Sequence, residues 1–341
     1  VRLTNNQITS YLDNLQRSEC MNVLSLFDGM SCGQIALNRA GIKYDNYFAS
    51  EIDKHAIKVT QSNYPNTKQI GDVAKVKGAD LPKIDLLIGG SPCQGFSIAG
   101  KQLNFDDPRS KLFFEFVRLL RECNPKYFLF ENVKMKKEYQ DIISERLGVE
   151  PIHINSNVFS AQDRKRSYWT NIIFSALPIE NKSTVEDILE SEVDIKYCIE
   201  PKRSVVILDN EVKKRNIGFI GSDSQGNRIY TIHGKSVCLC GGAKTGLYAL
   251  PCLTPDRTEK RQNGRRFKPP HSKFYTLTAM DKHGVLTNNF IRKLTPLECE
   301  RLQTVPENYT SIVSDNQRYK MLGNGWTVDV IAHIFKGIKE A

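Results

Sequence analysis

The chain has 341 residues and no apolar run near the roughly 18 that a membrane-crossing helix needs. No signal-peptide pattern stands at its start. Its nine cysteines (20, 32, 93, 123, 198, 238, 240, 252 and 299) are odd in number and scattered. That excludes a disulfide framework and predicts free thiols in a reducing compartment. The nearest approach to a metal cluster is Cys238 and Cys240, with Cys252 and His233 nearby. The pair is not spaced as C-x₂₋₄-C and no second pair follows, so no metal is expected. Neither G-x-G-x-x-G nor a Walker lysine loop is present, nor any internal repeat or low-complexity tract. Acidic residues are outnumbered, 38 to 48, leaving a net charge of +10. Such an excess fits a polyanionic partner, most simply nucleic acid.

What is there begins at Asn22, after a polar arm over residues 1–21. NVLSLF, YDNYFASEI, KQIGDV, IDLLIGG and KYFLFENV read as strands. QIALNRAG, DKHAIKVTQSNY and SKLFFEFVRLLRECN read as intervening helices, the last with Phe113, Phe116, Val117 and Leu120 at helical spacing. HINSNVFSAQDRKRSYWTNIIF predicts two more strands around a basic turn. Alternation of this kind predicts an α/β fold, a doubly wound, mostly parallel sheet spanning 22–174. Residues 175–290 change character, with short β-like runs (SVVIL, RIYTIHG, FYTLTAM), and predict a small domain of strands and loops. Residues 291–341 return to the first domain. They carry a helix entered at Thr295 with Pro296 at its first position, then a glycine turn into a closing helix.

The unusual residues gather at predicted strand ends, where such sheets bind ligands. FDGMSCG follows the first strand without the spacing of a phosphate cradle. Glu51 ends the second strand, placed for two ribose hydroxyls, and Asp72 ends the third, placed for an adenine amine. Together they point to an adenosine-type ligand, the alternative being a tight turn and two helix caps. GGSPCQGFS ends the fourth strand. Pro92 and three glycines hold Cys93 in a tight turn, as a nucleophile would be held; the alternative is an inert buried thiol. Glu131 emerges from the apolar KYFLF as a candidate acid, or else as a cap or surface ion pair. Arg164 and Arg166 alternate in QDRKR, so in a strand they share a face that would grip an anion, or else line a solvated hairpin.

In this order FDGMSCG, Glu51, GDV, GGSPCQGFS, FENV, QDRKR, RKLTPLECERLQTVPENY and GNGWTV resemble the cytosine-C5 DNA methyltransferases. The likeness covers about 22–174 and 291–338. PCQGFSIAGK and QDRKR are closer to the bacterial and phage enzymes, while FDG and the Trp326 ending look like the eukaryotic de novo branch. The resemblance implies a Rossmann-like S-adenosylmethionine-dependent fold with a target-recognition domain at 175–290. It implies methyl transfer to C5 of a cytosine flipped out of duplex DNA, through a covalent bond between Cys93 and C6. Glu131 would hold N3 and the exocyclic amine, Arg164 would contact O2, and Arg166 would support the loop. The cofactor would lie on Phe27, Asp28, Gly29, Met30, Cys32, Glu51, Ile52, Asp72 and Val73. Pro92 and Leu112 would approach it from the other side, and Asn324, Gly325 and Trp326 would close its methionine end.

DNA would meet Gln94, Ser97, Lys101 and Arg109 near the catalytic turn, and Arg257, Arg261, Arg265 and Arg266 in the recognition domain. The expected setting is a monomer in the cytoplasm of a bacterial or phage-infected cell, either beside a cognate restriction endonuclease as functional partner or as a solitary or phage enzyme. Other readings are the same chemistry on RNA, a regulator that kept the fold, and a dinucleotide oxidoreductase. The last wants phosphate-binding glycines that FDGMSCG does not supply.

Overall fold

Leu24, Phe48, Leu87 and Phe128 occupy neighbouring strands in one register row. Leu26, Gly89, Phe130 and Trp169 form the next row two residues on. A two-residue repeat places both rows on the same face. The computed structural model describes residues 21–91, 111–184, 186–197, 205–207, 216–220, 228–230, 250–253, 273, 283–287 and 290–340.

The strands are β1 (Met21–Leu26), β2 (Tyr44–Ser50), β3 (Lys68–Gln69), β4 (Leu86–Gly89), β5 (Tyr127–Val133), β6 (Ile152–Asn155) and β7 (Lys165–Thr170). Their order across the sheet is β3-β2-β1-β4-β5-β7-β6. β1 to β5 run parallel, and β7 runs antiparallel to β5. The expected α/β class with a mostly parallel sheet is what forms. The chain lays β2 and β3 on one side of β1, then places β4 on the other. The switch point therefore lies between β1 and β4, where FDGMSCG and the segment Gly90-Ser91 leave the sheet.

Helices α1 (Cys32–Ala40), α2 (Lys54–Asn63) and α3 (Lys111–Cys123) fall where the pattern predicts them. α1 ends at Gly41 in the left-handed conformation. Asp53 caps α2 by accepting from the His55 N–H. A further helix, α4 (Lys137–Leu147), was not expected. Its Tyr139, Ile143 and Leu147 recur every four residues and Gly148 closes it, a pattern its charged neighbours mask. KQIGDV gives only a two-residue strand, because Gly71 turns left-handed (φ 75°) and Asp72 starts a 3₁₀ turn over Val73–Lys75.

The sheet face bearing the two rows packs against Phe113, Phe116 and Val117 of α3 and Ile143 and Leu147 of α4. Ring centroids lie 4.9 Å apart for Phe116–Phe130 and 5.9 Å for Phe130–Trp169. The Trp169 indole N–H donates to Ser144 Oγ of α4 at 3.0 Å, so burial of this tryptophan leaves no polar atom stranded.

Two compact units divide the chain. One holds the described residues through His153, Arg166–Ser175 and Ala332 onward; the other holds Ile154–Lys165 and the described part of Ala176–Ile331. The second contains two antiparallel three-stranded sheets. They are β8 (Val205–Ile207), β9 (Asn216–Ile220) and β10 (Arg228–Tyr230), then β11 (Leu250–Leu253), β12 (His283–Thr287) and β13 (Phe290–Lys293). SVVIL and RIYTIHG supply β8 and β10, while FYTLTAM lies outside the described residues. So do His233, Cys238, Cys240 and the arm at 1–20.

Thr295 opens α5 (Pro296–Leu302) through a full capping box with Glu298, as its sequence predicts. Two helices follow, α6 (Asp315–Asn324) and α7 (Val328–Glu340). The residues Met321–Asn324, expected as part of a glycine turn, belong to α6. No helix among the described residues is long and apolar enough to cross a membrane.

Gly89 makes the central seam possible. A Cβ there would stand 2.9 Å from the Leu26 carbonyl oxygen and 3.2 Å from the Phe116 ring. Gly89→Ala is therefore expected to destabilise the protein by about 1–3 kcal/mol through overpacking. The check is the urea midpoint, and an unchanged midpoint would contradict the seam.

Candidate active site

The turn after β1 alternates in hand. Phe27 (φ 56°), Gly29 (φ 59°) and Ser31 (φ 65°) are all left-handed. For the two non-glycine residues this costs on the order of 1–3 kcal/mol each, strain of the kind that gathers at ligand sites. The turn is anchored to the end of β2. The Asp28 N–H donates to the Ser50 carbonyl at 3.2 Å, and the Gly29 N–H to Glu51 Oε2 at 2.8 Å. Glu51 Oε1 accepts from the N–H groups of Ile52 and Asp53, each at 2.8 Å. Glu51 thus caps nothing; Asp53 does. A carboxylate accepts about four hydrogen bonds, so Glu51 keeps capacity for a hydroxyl donor. Beside it Ile52 is 76% exposed, an apolar side chain facing solvent. Ser50 Oγ ties this corner to the Gly71 carbonyl at 2.7 Å, next to Asp72. Asp72 Oδ1 accepts from the Ala74 N–H at 3.0 Å, the capping role that was its alternative reading.

Asp28 adds an unexpected feature. Its Oδ1 accepts from Tyr47 Oη at 2.7 Å, while its buried Oδ2 has no hydrogen-bond partner among the described residues. Burial raises its pKa to about 6 from 3.8. The hydroxyls of Ser25, Tyr47 and Ser31 oppose that rise, and the charge of Glu51 adds to it. Gly33 is needed where α1 meets the sheet, since a Cβ there would stand 2.5 Å from both Ile88 Cδ1 and Tyr47 Oη. A lone buried acceptor, a partly engaged carboxylate and an exposed apolar side chain suit a cationic nucleoside such as S-adenosylmethionine. Met30 (1% exposed), Cys32 (4%) and Val73 (5%) are buried. Phe27 and Leu112 are partly buried and pack on the core.

A second cluster lies at the ends of β4 and β5, adjacent parallel strands. Pro92, Cys93, Gln94, Ser97, Lys101 and Arg109 are outside the described residues. Ser91, immediately before them, is buried. Its hydroxyl and carbonyl accept from Asn132 Nδ2 at 3.3 and 3.5 Å. Sequence reasoning passed over Asn132; the signal was its place in FENV, where a buried amide demands partners.

Glu131 is paired with Arg166, Nε to Oε1 3.0 Å, with side chains only 10% and 13% exposed. The register explains the contact. Glu131 faces Tyr168 and Val133 faces Arg166, so the two charged residues are diagonal neighbours on one face. Removing one partner of so enclosed a pair typically costs about 3–5 kcal/mol.

Arg164 lies in the other unit and is 3% exposed. Its guanidinium donates to the carbonyls of Gly323 and Gly325 rather than pointing to solvent. It precedes β7, so the expectation of two arginines alternating along one strand does not hold. Asn324 ends α6, exposed, with Gly325 and Trp326 following half-buried. Arg257, Arg261, Arg265 and Arg266 lie outside the described residues.

A family model described as C-5 cytosine-specific DNA methylase matches residues 21–340. The orphan methyltransferase M.SPRI of Bacillus phage SPR is 30% identical, the match covering 93% of this chain and 97% of that protein. The type II methyltransferase M.HhaI of Haemophilus parahaemolyticus is 27% identical, covering 92% and 93%. Among solved structures, the Entamoeba histolytica methyltransferase EhMeth superposes with a TM-score of 0.61. It is 20% identical, over 94% of this chain and 98% of that one, a likeness of fold.

The raised pKa of Asp28 has a definite sign. Between about pH 4 and pH 6 the folded chain holds a proton that the unfolded chain has released. Stability therefore falls as pH rises across that interval, and the whole penalty stands at pH 7. Asp28→Asn is expected to remove this slope and to stabilise the ligand-free protein at pH 7, by at most about 3 kcal/mol. Urea midpoints of both proteins at pH 4.5 and pH 7 measure it. A wild-type-minus-variant difference independent of pH would refute the buried acid.

Proposed function

This chain belongs to the C-5 cytosine-specific DNA methylases, and we propose that it methylates a flipped-out cytosine in duplex DNA through a covalent Cys93 adduct. The family model matching residues 21–340 carries the reading. The buried Glu131–Arg166 pair, one strand from the segment that continues into Cys93, supports it at the level of chemistry.

C5 of cytosine is a poor nucleophile. Attack of the Cys93 thiolate on C6 converts the ring to an enamine whose electron density is highest at C5. Glu131 holds N3 and the exocyclic amine, so that negative charge does not accumulate on the ring. Arg166 fixes the Glu131 carboxylate through their ion pair. The contact with O2 that the resemblance gives to Arg164 is better suited to Arg166, because the Arg164 guanidinium is engaged by backbone carbonyls. Asn132 steadies Ser91 and thereby the start of the nucleophile's turn. Once C5 is substituted, a base removes its proton and Cys93 leaves, restoring the aromatic ring.

When bound, S-adenosylmethionine supplies the methyl group. Phe27, Asp28, Gly29, Glu51, Ile52 and Asp72 would hold its adenosine and cationic parts. Asn324, Gly325 and Trp326 would take its methionine end.

The target base must leave the duplex to reach such a site. We assign the recognition of sequence to residues 175–290 and phosphate contacts to the basic run around Arg257–Arg266, consistent with the net charge of +10. The setting we infer is the cytoplasm of a bacterial or phage-infected cell.

A duplex carrying 5-fluorocytosine at the target position tests the mechanism, because fluorine cannot leave as a proton does. With cofactor present, the wild-type protein is expected to accumulate an adduct stable to denaturing electrophoresis. Cys93→Ser is expected to form none and to lose methylation by at least a thousandfold. An adduct in the serine variant, or none in the wild type, overturns the covalent step.

A further inference from the structure

The carboxyl end of α6 is held mainly by side chains. A helix leaves its last four carbonyls without intrahelical donors. Here the Met321 carbonyl takes the Gly325 N–H at 2.8 Å. Gln303 Nε2 donates to the carbonyls of Leu322 (2.6 Å) and Gly325 (3.3 Å). Arg164 donates from Nη1 and Nη2 to the Gly323 carbonyl, each at 3.3 Å, and from Nη2 to that of Gly325 at 2.8 Å.

The start of α7 is held from the same place. Thr327 Oγ1 donates to Gln303 Oε1 at 2.9 Å. The Val328 N–H donates to the Gln303 carbonyl, and the Asp329 N–H to Thr304 Oγ1, both at 3.0 Å. Gln303 is fully buried.

Two observations separate this arrangement from ordinary capping. Helices commonly end on a left-handed glycine. Gly325 instead is extended, with φ −67° and ψ 168°, so it does not serve as that cap. Thr304, β-branched, sits at φ 52°, a costly conformation held while its hydroxyl receives a helix N–H. The surroundings therefore fix the turn from both ends at the expense of local strain.

We propose that Gln303, with Arg164 and Thr304, is a clamp that presets the Asn324-Gly325-Trp326 turn for the methionine end of the cofactor. The proposal rests on the reading of that turn as a cofactor contact. Gln303 is a positioning residue, acting through backbone carbonyls and Thr327.

Calorimetric binding of S-adenosylmethionine to the DNA-free protein tests it, with Gln303→Met and the milder Thr327→Val. Both are expected to weaken binding at least fivefold and to speed amide exchange over residues 325–329 of the cofactor-free protein. Both should raise KM for the cofactor while kcat at saturation stays within twofold. Cofactor affinity within twofold of wild type in Thr327→Val overturns the clamp, and that variant decides alone if Gln303→Met does not fold. A fall in kcat at unchanged affinity overturns it as well. Trp326→Ala tests the underlying reading: unchanged affinity there means the turn does not contact cofactor. Weakened affinity there, with none in the clamp variants, removes the clamp only.

Discussion

The seam between β1 and β4 is the constraint from which the rest follows. Leu26, Gly89 and Phe130 are register partners across three strands, and the missing side chain at Gly89 admits the Phe116 ring. Because the seam closes tightly, two loops leave the sheet side by side at the point where strand order reverses. One is the left-handed turn of Phe27, Gly29 and Ser31. The other begins at Ser91 and leads toward Cys93. A close-packed apolar interior transmits small displacements. The points at which the chain leaves the sheet, at Phe27 and at Ser91, are therefore set by aromatic packing beneath them.

Polar groups above the seam are fixed in a complementary manner. Glu51 takes three backbone N–H groups at 2.8 Å and so becomes part of the turn it serves. Glu131 is held by Arg166 from the neighbouring antiparallel strand, and Asn132 by Ser91 from the neighbouring parallel one. Adjacent residues of one strand are thus tied in opposite directions across the sheet. Alternation along the strand places their two side chains on opposite faces of the sheet.

Local chemistry was readable from residues, and distant chemistry was not. The alternation of strands and helices, Gly41 ending α1 and the Thr295–Pro296 start of α5 each depend on neighbours in sequence. Glu51, Asp72 and Glu131 were visible as acids at strand ends because apolar runs precede them. Asp72 shows the limit of that inference, since the short third strand turns it into a cap. Two things depend on residues far apart in the chain and left no local trace. They are the buried Asp28 oxygen that has no partner among the described residues, and the helicity of Met321–Asn324, whose Leu322 and Gly323 carbonyls are met by Gln303 and Arg164. The turn that presents Cys93 lies outside the described residues, and its chemistry is argued from sequence and family.

The reversed direction of β7 has a consequence for how such chains tolerate change. Glu131 and Arg166 meet because their strands pair, and residues 134–165 between them take no part in the register that joins them. Insertions or deletions in the loops of that interval would alter the linear distance between FENV and QDRKR without moving the ion pair. Linear spacing between these two motifs is thus a poor guide to a shared site. Strand pairing is the invariant by which a relative with a longer or shorter interval should be aligned.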